Sequence, residues 1–338
     1  MSSIVDVDAY RGVWVFVEQA DGHPARVSLE LLGKGRELAA KLDVELTAFL
    51  IGESVGQLAR ELIFYGADRV MLADDPMLKD YGTELYTDII SEQAMKEKPE
   101  VLIVGATPIG RDLAPRLSFR LNAGCTADCT DLDIDEENRL FVSTRPAFGG
   151  NVMATIICPE HRPQMSTVRP GVMPLPERDE SRKGEIIDLH VHFKKEDVRV
   201  EVLECLKGKS EGVNILEADR IVAAGMGVGD RDTFEMIREL AELLEAEVAA
   251  TRLAVEAGWI SHDFQIGQTG KTVRPSLYMA CGISGAVQHT AGMSGSKIII
   301  AINSDPNAEI FKIADYGIVG DVGKVVPALI AELKGLKR

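Results

Sequence analysis

The chain has 338 residues, 46% of them hydrophobic, and its 37 Lys plus Arg against 53 Asp plus Glu leave a formal net charge of −16. That length passes the roughly 250 to 300 residues at which a single core stops growing, so two domains are expected. The charge repels phosphate backbones and argues against a nucleic-acid partner, and apolar runs such as residues 298–302 fall far short of the roughly 20 residues a membrane helix needs.

In chain order, the first half alternates short β-branched runs with helical periodicity, the pattern of a mostly parallel sheet with covering helices. GVWVFVEQ (12–19) reads as a buried strand, and VSLELLGKGRELAAKL (27–42) as an amphipathic helix introduced by the turn signal Asp21-Gly22. ELTAFLIG (45–52), RVMLAD (69–74) and VLIVGAT (101–107) continue the series, with two further helices between them. After Asn122 the texture changes. TADCTDLDID, LFVSTRPAFGG and NVMATIIC alternate apolar and polar residues around Asn138 and Gly149-Gly150, which predicts an antiparallel appendage to the first domain. Residues 170–185, with three prolines and dense charge, predict an exposed loop. VRVEVLECL (198–206) is expected to close the first domain as a strand, and Lys207-Gly208-Lys209 to act as a hinge, giving domains 1–207 and 208–338.

The five Cys, at positions 125, 129, 158, 205 and 281, are odd in number and widely spaced, so reduced thiols are expected. Cys125 and Cys129 lack a second pair or a neighbouring His, and His190 and His192, which would share one face of a strand, lack a third ligand; neither pair predicts a metal site. The opening MSSIVDVDAY has neither the character of a secretory signal nor that of a transit peptide, so a cytoplasmic protein is expected.

The second domain restarts as strand–helix units: RIVAAG and a helix from about Asp232; EVAATR; SLYMACGIS and GAVQH; KIIIAINSD and AEIFKIA; and DYGIVGD before a helix ending at Leu333. In open parallel sheets ligands bind beyond the carboxyl ends of the strands. The residues ending each apolar run are therefore the informative ones: 225–229, Thr251 and Arg252, Ser284 and Gly285, Asn303, and Asp321. All but Met226 and Val228 are small, polar or charged, as a nucleotide-sized ligand requires: glycines let backbone N–H groups approach phosphates, and Asn or Asp can bond ribose hydroxyls. GMGVGD (225–230) falls short of G-x-G-x-x-G because Asp230 stands in place of the third Gly. It reads equally as a tight turn before a helix capped by Asp232, with Met226 packing inward. QIGQTGK (265–271) is too short for a Walker loop yet offers backbone donors beside Gln268 and Thr269. GISGAVQHTAGM (282–293) places Ser284, Gly285, Gln288 and His289 at a strand-to-helix junction.

LYMACGISGAVQHTAGMSGSKIIIAINSDPNAEIFKIADYGIVGD closely resembles the signature region of the α subunit of electron transfer flavoprotein. The likeness extends through GVWVFVEQ, TRPAFGGN, STVRPGVM and VGDVGKVVPALI. It implies a two-domain α/β fold, an N-terminal α/β domain with an antiparallel appendage followed by a Rossmann-like parallel-sheet domain that binds FAD. It also implies a β subunit as partner and an acyl-CoA dehydrogenase or similar flavin dehydrogenase in exchange. Carried over by position, the implied FAD site comprises Thr251, Arg252, Ile266, Gly267, Gln268, Thr269, Ser284, Gly285, Ala286, Val287, Gln288, His289, Asn303 and Asp321. Within that likeness Arg252 and His289 are expected to place positive charge or donors at the N1/O2 side of the flavin, and Thr269 and Gln268 at the N5/O4 side. Where the family commonly shows Gly-Gly-Arg-Gly, this chain has Ala224-Gly225-Met226-Gly227. The implied function is a single-electron relay, with electron bifurcation driven by NADH as the alternative. An NAD-dependent enzyme on the same sheet is disfavoured by the broken glycine fingerprint.

Overall fold

The computed structural model describes residues 6–20, 22–147, 152–191, 193, 200, 202–203, 215–216 and 218–336. The turn at Gly149-Gly150, His192, Cys205, most of the expected strand 198–206 and the expected hinge lie outside the described residues. The chain divides into two compact units, Met1–Ala147 with Met153–Leu206, and Phe148–Val152 with Lys207–Arg338.

The first unit opens with β1 (Val13–Val17), a short hairpin of β2 (Gln19–Ala20) and β3 (His23–Pro24), α1 (Arg26–Leu42) and β4 (Leu46–Gly52). It continues through α2 (Leu58–Phe64), β5 (Arg69–Asp74), α3 (Thr83–Glu97), β6 (Val101–Gly105) and α4 (Pro108–Arg120). β1, β4 and β6 are buried along their whole length. VWVFV, LTAFLIG and VLIVG are nearly continuous apolar runs because both faces of the parallel sheet are covered. The α1 stripe of Val27, Leu31, Leu38 and Leu42 packs on one face. Leu85, Ile89 and Ile90 of α3, with Leu113 and Leu117 of α4, cover the other. α1 ends at Asp43, whose φ of 53° is the left-handed turn that commonly stops a helix.

After α4 come β7 (Cys125–Cys129), β8 (Asp131–Asp135), β9 (Leu140–Ala147), β10 (Val152–Ile156), β11 (Gln164–Val168) and β12 (Glu185–Asp188). The antiparallel appendage is real but smaller than the alternation suggested, consisting of β10, β9 and β8. Cys125–Cys129 instead forms the edge of the main sheet, parallel to β11, and the full order is β12-β5-β4-β1-β6-β11-β7. The polar letters of QMSTV concealed a strand buried at every position. Most of its polar groups find partners in place: Gln164 Oε1 accepts from Phe141 N at 3.0 Å, although Gln164 Nε2 has no hydrogen-bond partner among the described residues, the Ser166 and Ser143 hydroxyls bond at 2.6 Å, and Thr167 Oγ1 accepts from Asp128 N at 2.9 Å. Buried polar groups with such partners cost little.

Residues 170–185 are mostly exposed, although Val172 and Met173 enter the core. β12 adds a second edge beside β5. It stops at Asp188, so exposed His190 sits after the strand, with its N–H donated to Asp188 Oδ1 at 2.8 Å.

The second unit comprises β13 (Arg220–Ala224), α5 (Arg231–Leu243), β14 (Glu247–Ala250), α6 (Arg252–Glu256), β15 (Leu277–Cys281), α7 (Val287–Thr290), β16 (Ile299–Asn303), β17 (Tyr316–Val319) and α8 (Val322–Leu336). All five strands are parallel in the order β14-β13-β15-β16-β17. Phe234, Ile237 and Leu240 of α5 share one core with Val322, Val326 and Ile330 of α8. Two local expectations change. The cap of α5 is Asp230, which accepts from Thr233 N at 2.8 Å; its backbone is extended, φ −141° and ψ 173°, and it stands two residues before the expected Asp232. Glu309–Lys312 of AEIFKIA makes a single 3-10 turn in place of a helix. The chain is thus α/β throughout, one parallel sheet with an antiparallel appendage and one doubly wound parallel sheet. No helix among the described residues is long and apolar enough to cross a membrane.

Candidate functional site

In the second sheet β13, the first strand, has β14 on one side and β15 on the other. The loops leaving β13 and β15 therefore turn away to opposite faces, and a crevice opens between them at the carboxyl edge. A cavity of about 470 Å³ occupies that place. Its walls come from Gly225, Met226 and Gly227 after β13, Thr251, Arg252 and Leu253 after β14, and Gly282, Ile283, Ser284 and Ala286 after β15. The segment 265–269 and the start of α7 complete it through Gln265, Ile266, Gly267, Thr269, Gln288 and His289. The volume lies within the range of small-molecule sites.

The glycines serve first to bring backbones together. A Cβ on Gly225 would stand 2.4 Å from Gly282 O, and Gly227 N donates to that same oxygen at 2.9 Å. The GMGVG turn is therefore explained by packing against the β15 loop. The loop after β15 behaves differently: the backbone N–H groups of Ser284, Gly285, Ala286 and Val287 donate to no acceptor among the described residues. Four consecutive backbone donors, with Gly285 at φ +89°, are thus open to an anion.

Four side chains give the cavity its chemistry. Thr269 Oγ1 accepts from Gln265 Nε2 at 3.0 Å, which leaves its own O–H to donate elsewhere; Gln265 is buried. Arg252 projects from the start of α6 and pairs with Glu256 at 2.7 Å, the Arg side chain 66% exposed. His289 is buried, with Nδ1 3.1 Å from Ile266 O and Nε2 3.0 Å from Tyr278 Oη. Burial lowers its pKa to about 4, so the ring is neutral and both nitrogens are engaged within the protein. At neutral pH His289 therefore offers the cavity no positive charge. Met226, expected to pack inward, is 44% exposed and lines the cavity, because the short turn after β13 carries it to the rim.

Residues 13–193 match the electron transfer flavoprotein domain, and residues 214–294 match the electron transfer flavoprotein FAD-binding domain. The electron transfer flavoprotein subunit alpha of Thermoanaerobacterium thermosaccharolyticum is 55% identical over 328 residues, 97% of this chain and 99% of the relative. The chain belongs to the electron transfer flavoprotein α-subunit family. More distant members include the lactate dehydrogenase (NAD(+),ferredoxin) subunit LctC of Acetobacterium woodii, 44% identical over 98% of this chain and 79% of its own. The acryloyl-CoA reductase electron transfer subunit beta of Anaerotignum propionicum is 42% identical over 97% of each chain.

The family's cofactor is FAD, and the structure sorts the residues implied by the resemblance. It brings Thr251, Arg252, Ile266, Gly267, Thr269, Ser284, Ala286, Gln288 and His289 to one cavity. Gln268 stands beside it and ties the 265–271 segment to α7 through its N–H to Gln288 O at 2.6 Å. Gly285 is buried against Ile310, and Val287 is partly exposed on α7. Asn303 ends β16 and Asp321 follows β17, beyond the walls. Asn303 acts at one remove, its Nδ2 donating to Ile283 O at 2.8 Å, and Asp321 precedes α8, where its carbonyl accepts from Lys324 N at 3.0 Å. Sequence reasoning missed Leu253, Gln265, Gly282 and Ile283. For Gln265 a signal existed, since it opens the glycine-rich QIGQTGK.

A neutral buried His also predicts a pH effect. The unfolded chain binds a proton at this residue below about pH 6.5, whereas the folded one does so only near pH 4. The unfolded state therefore gains protons in that window, and stability falls as pH drops from about 6.5 toward 4. Urea unfolding at pH 7 and pH 5 should show a smaller loss in His289→Gln than in the wild type; an equal loss in both assigns the slope to other groups.

Proposed function

We propose that the cavity between the β13 and β15 loops holds the flavin end of FAD. The dinucleotide then continues along the carboxyl ends of β15, β16 and β17 toward Asn303 and Asp321. The observation that carries this reading is the run of open N–H groups from Ser284 to Val287 beside a cavity walled by Met226, Leu253, Ile266 and Ile283. Backbone donors suit a pyrophosphate and apolar walls suit a ring system. Bound FAD supplies reversible one- and two-electron redox chemistry, and the protein supplies orientation and electrostatics. Arg252 offers the positive charge at the rim, and Thr269, held by Gln265, offers a hydroxyl donor. His289 contributes a neutral wall, and Met226 and Ile283 keep water off the ring.

With a β subunit as partner, the chain serves as an electron relay between a flavin dehydrogenase, such as an acyl-CoA dehydrogenase, and a downstream acceptor, working as a cytoplasmic heterodimer. Support for a partner surface on the first unit comes from its exposed apolar side chains: Phe119 is 90% exposed, and Met153 and Ile157 lie open on and just after β10. A second reading places the chain in a bifurcating complex fed by NADH. It is favoured by the A. woodii relative, whose name joins NAD(+) and ferredoxin.

Flavin counting on the copurified αβ complex tests both readings: one FAD per pair is expected of a simple carrier, two of a bifurcating complex. A fragment of residues 208–338 should retain flavin, with its two-band visible spectrum, and a fragment of residues 1–207 none. Flavin retained by the 1–207 fragment would defeat the assignment.

A further inference from the structure

The first sheet follows the rule that sets the cavity over the second. β1 lies between β4 and β6; α1, after β1, packs on one face, and α4, after β6, on the other, so a crevice is expected over the carboxyl ends of β1 and β6. Only about 60 Å³ is open there, beside Phe16, Glu18 and Ile109, against about 470 Å³ in the second unit. Small-molecule sites start at roughly 300 Å³. Glu18 spans the gap, its Oε2 accepting from Thr107 Oγ1, the cap of α4, at 2.5 Å. Further along the same edge, the loop after β4 turns three successive N–H groups toward one carboxylate. Ser54 N donates to Asp74 Oδ1 at 2.6 Å, and Val55 N and Gly56 N donate to Asp74 Oδ2 at 2.9 and 3.0 Å. Ser54 has φ +54°, uncommon for a residue with a Cβ and typical of backbone concavities that hold anions. The carboxylate comes from another strand, since Asp74 ends β5 opposite Gly52.

We propose that Asp74 is a built-in anion of the first unit, filling from within the kind of backbone nest that residues 284–287 of the second unit keep open for a ligand. With Glu18 at the switch point, it closes the carboxyl edge of the first sheet to phosphate-bearing molecules, so that two similar sheets in one chain divide into a ligand-holding one and a self-filled one. The role of Asp74 stands on the first unit alone; the contrast with the second rests on the FAD reading above. Converging N–H dipoles favour a full negative charge over a neutral acceptor. Asp74 is exposed, so removing its carboxylate leaves the three donors within reach of a dissolved anion.

The experiment is amide hydrogen exchange read by mass spectrometry on the αβ complex, in phosphate-free buffer, following peptides that cover residues 53–57. The wild type should exchange slowly there and show no response to added inorganic phosphate or formate. In Asp74→Ala exchange should quicken about tenfold or more, and either anion, against chloride at the same ionic strength, should slow it again. Asp74→Asn, which keeps the shape without the charge, should also quicken and should also respond to phosphate. A wild type that phosphate protects further overturns the inference, because the nest is then open to an outside anion. Unchanged exchange in Asp74→Ala overturns it, because the donors are then held by another group, and faster exchange that neither anion slows shows that the loop is no anion place. Wild-type exchange in Asp74→Asn shows that a neutral hydrogen-bond staple suffices and removes the role given to the charge. Flavin absorbance of the variants should match the wild type. Flavin missing from the wild-type complex itself defeats the FAD reading and leaves the exchange result for Asp74 in force.

Discussion

Replacing Arg252 by Ala should lower the first one-electron potential of the bound FAD by about 60 mV, a tenfold change in a one-electron equilibrium. Negative charge enters the flavin on reduction, and Arg252 is the cation at the cavity rim. A hydrogen bond to a charged group contributes about 1.5 to 3 kcal/mol. The lower end applies because Arg252 is largely exposed and shares its charge with Glu256 at 2.7 Å. An exposed pair one helical turn apart contributes only about 0.3 to 0.5 kcal/mol, so Glu256 holds Arg252 loosely and gives it up to a stronger anion. Arg252→Lys should fall between the wild type and Arg252→Ala, since it keeps the charge but loses the planar fork. Glu256→Gln should move the potential upward by removing the opposing charge. Spectroelectrochemical titration of the αβ complex reads all three, and a potential unmoved in Arg252→Ala with FAD still bound would show that Arg252 does not tune the flavin.

Gly285→Ala should unfold the second unit more readily and release its FAD. Gly285 has φ +89°, and a Cβ there would stand 2.1 Å from Ile310 N, which donates to Ser284 O at 3.0 Å. The variant bears the left-handed strain of a non-glycine residue, about 1 to 2 kcal/mol. It also forces the β15 loop off the 309–312 turn, an overpacking cost of about 1 to 3 kcal/mol. Against a typical stability of about 5 to 15 kcal/mol this is a large fraction. Gly258→Ala is the control, because Gly258 has φ +74° but open space around it and so bears only the strain. Urea midpoints should separate the two variants clearly. Equal shifts would mean that the contact with Ile310 relaxes without cost and that the open donors of residues 284–287 do not depend on it.

The sequence by itself determined the parts of the protein that follow from local pattern. VWVFV, LTAFLIG and VLIVG read as buried parallel strands because unbroken apolar runs have one stable place, inside a sheet covered on both faces. RIVAA, EVAA, LYMAC and IIAIN read as the strands of a second sheet, and the residues that end these runs include six that line its cavity, Gly225, Met226, Gly227, Thr251, Arg252 and Ser284, because a parallel sheet offers its carboxyl edge to ligands. Tertiary structure decided whatever depends on residues distant in the chain. QMSTV becomes a core strand because Ser143, Phe141 and Asp128 bond its Ser166 hydroxyl, Gln164 Oε1 and Thr167 hydroxyl. The strand order β14-β13-β15 sets the cavity over those three strands and leaves Asn303 and Asp321 outside its walls. His289 reads in sequence as a free group at a strand-to-helix junction, but folding buries it and brings Ile266 O and Tyr278 Oη, 23 and 11 residues away, to its two nitrogens.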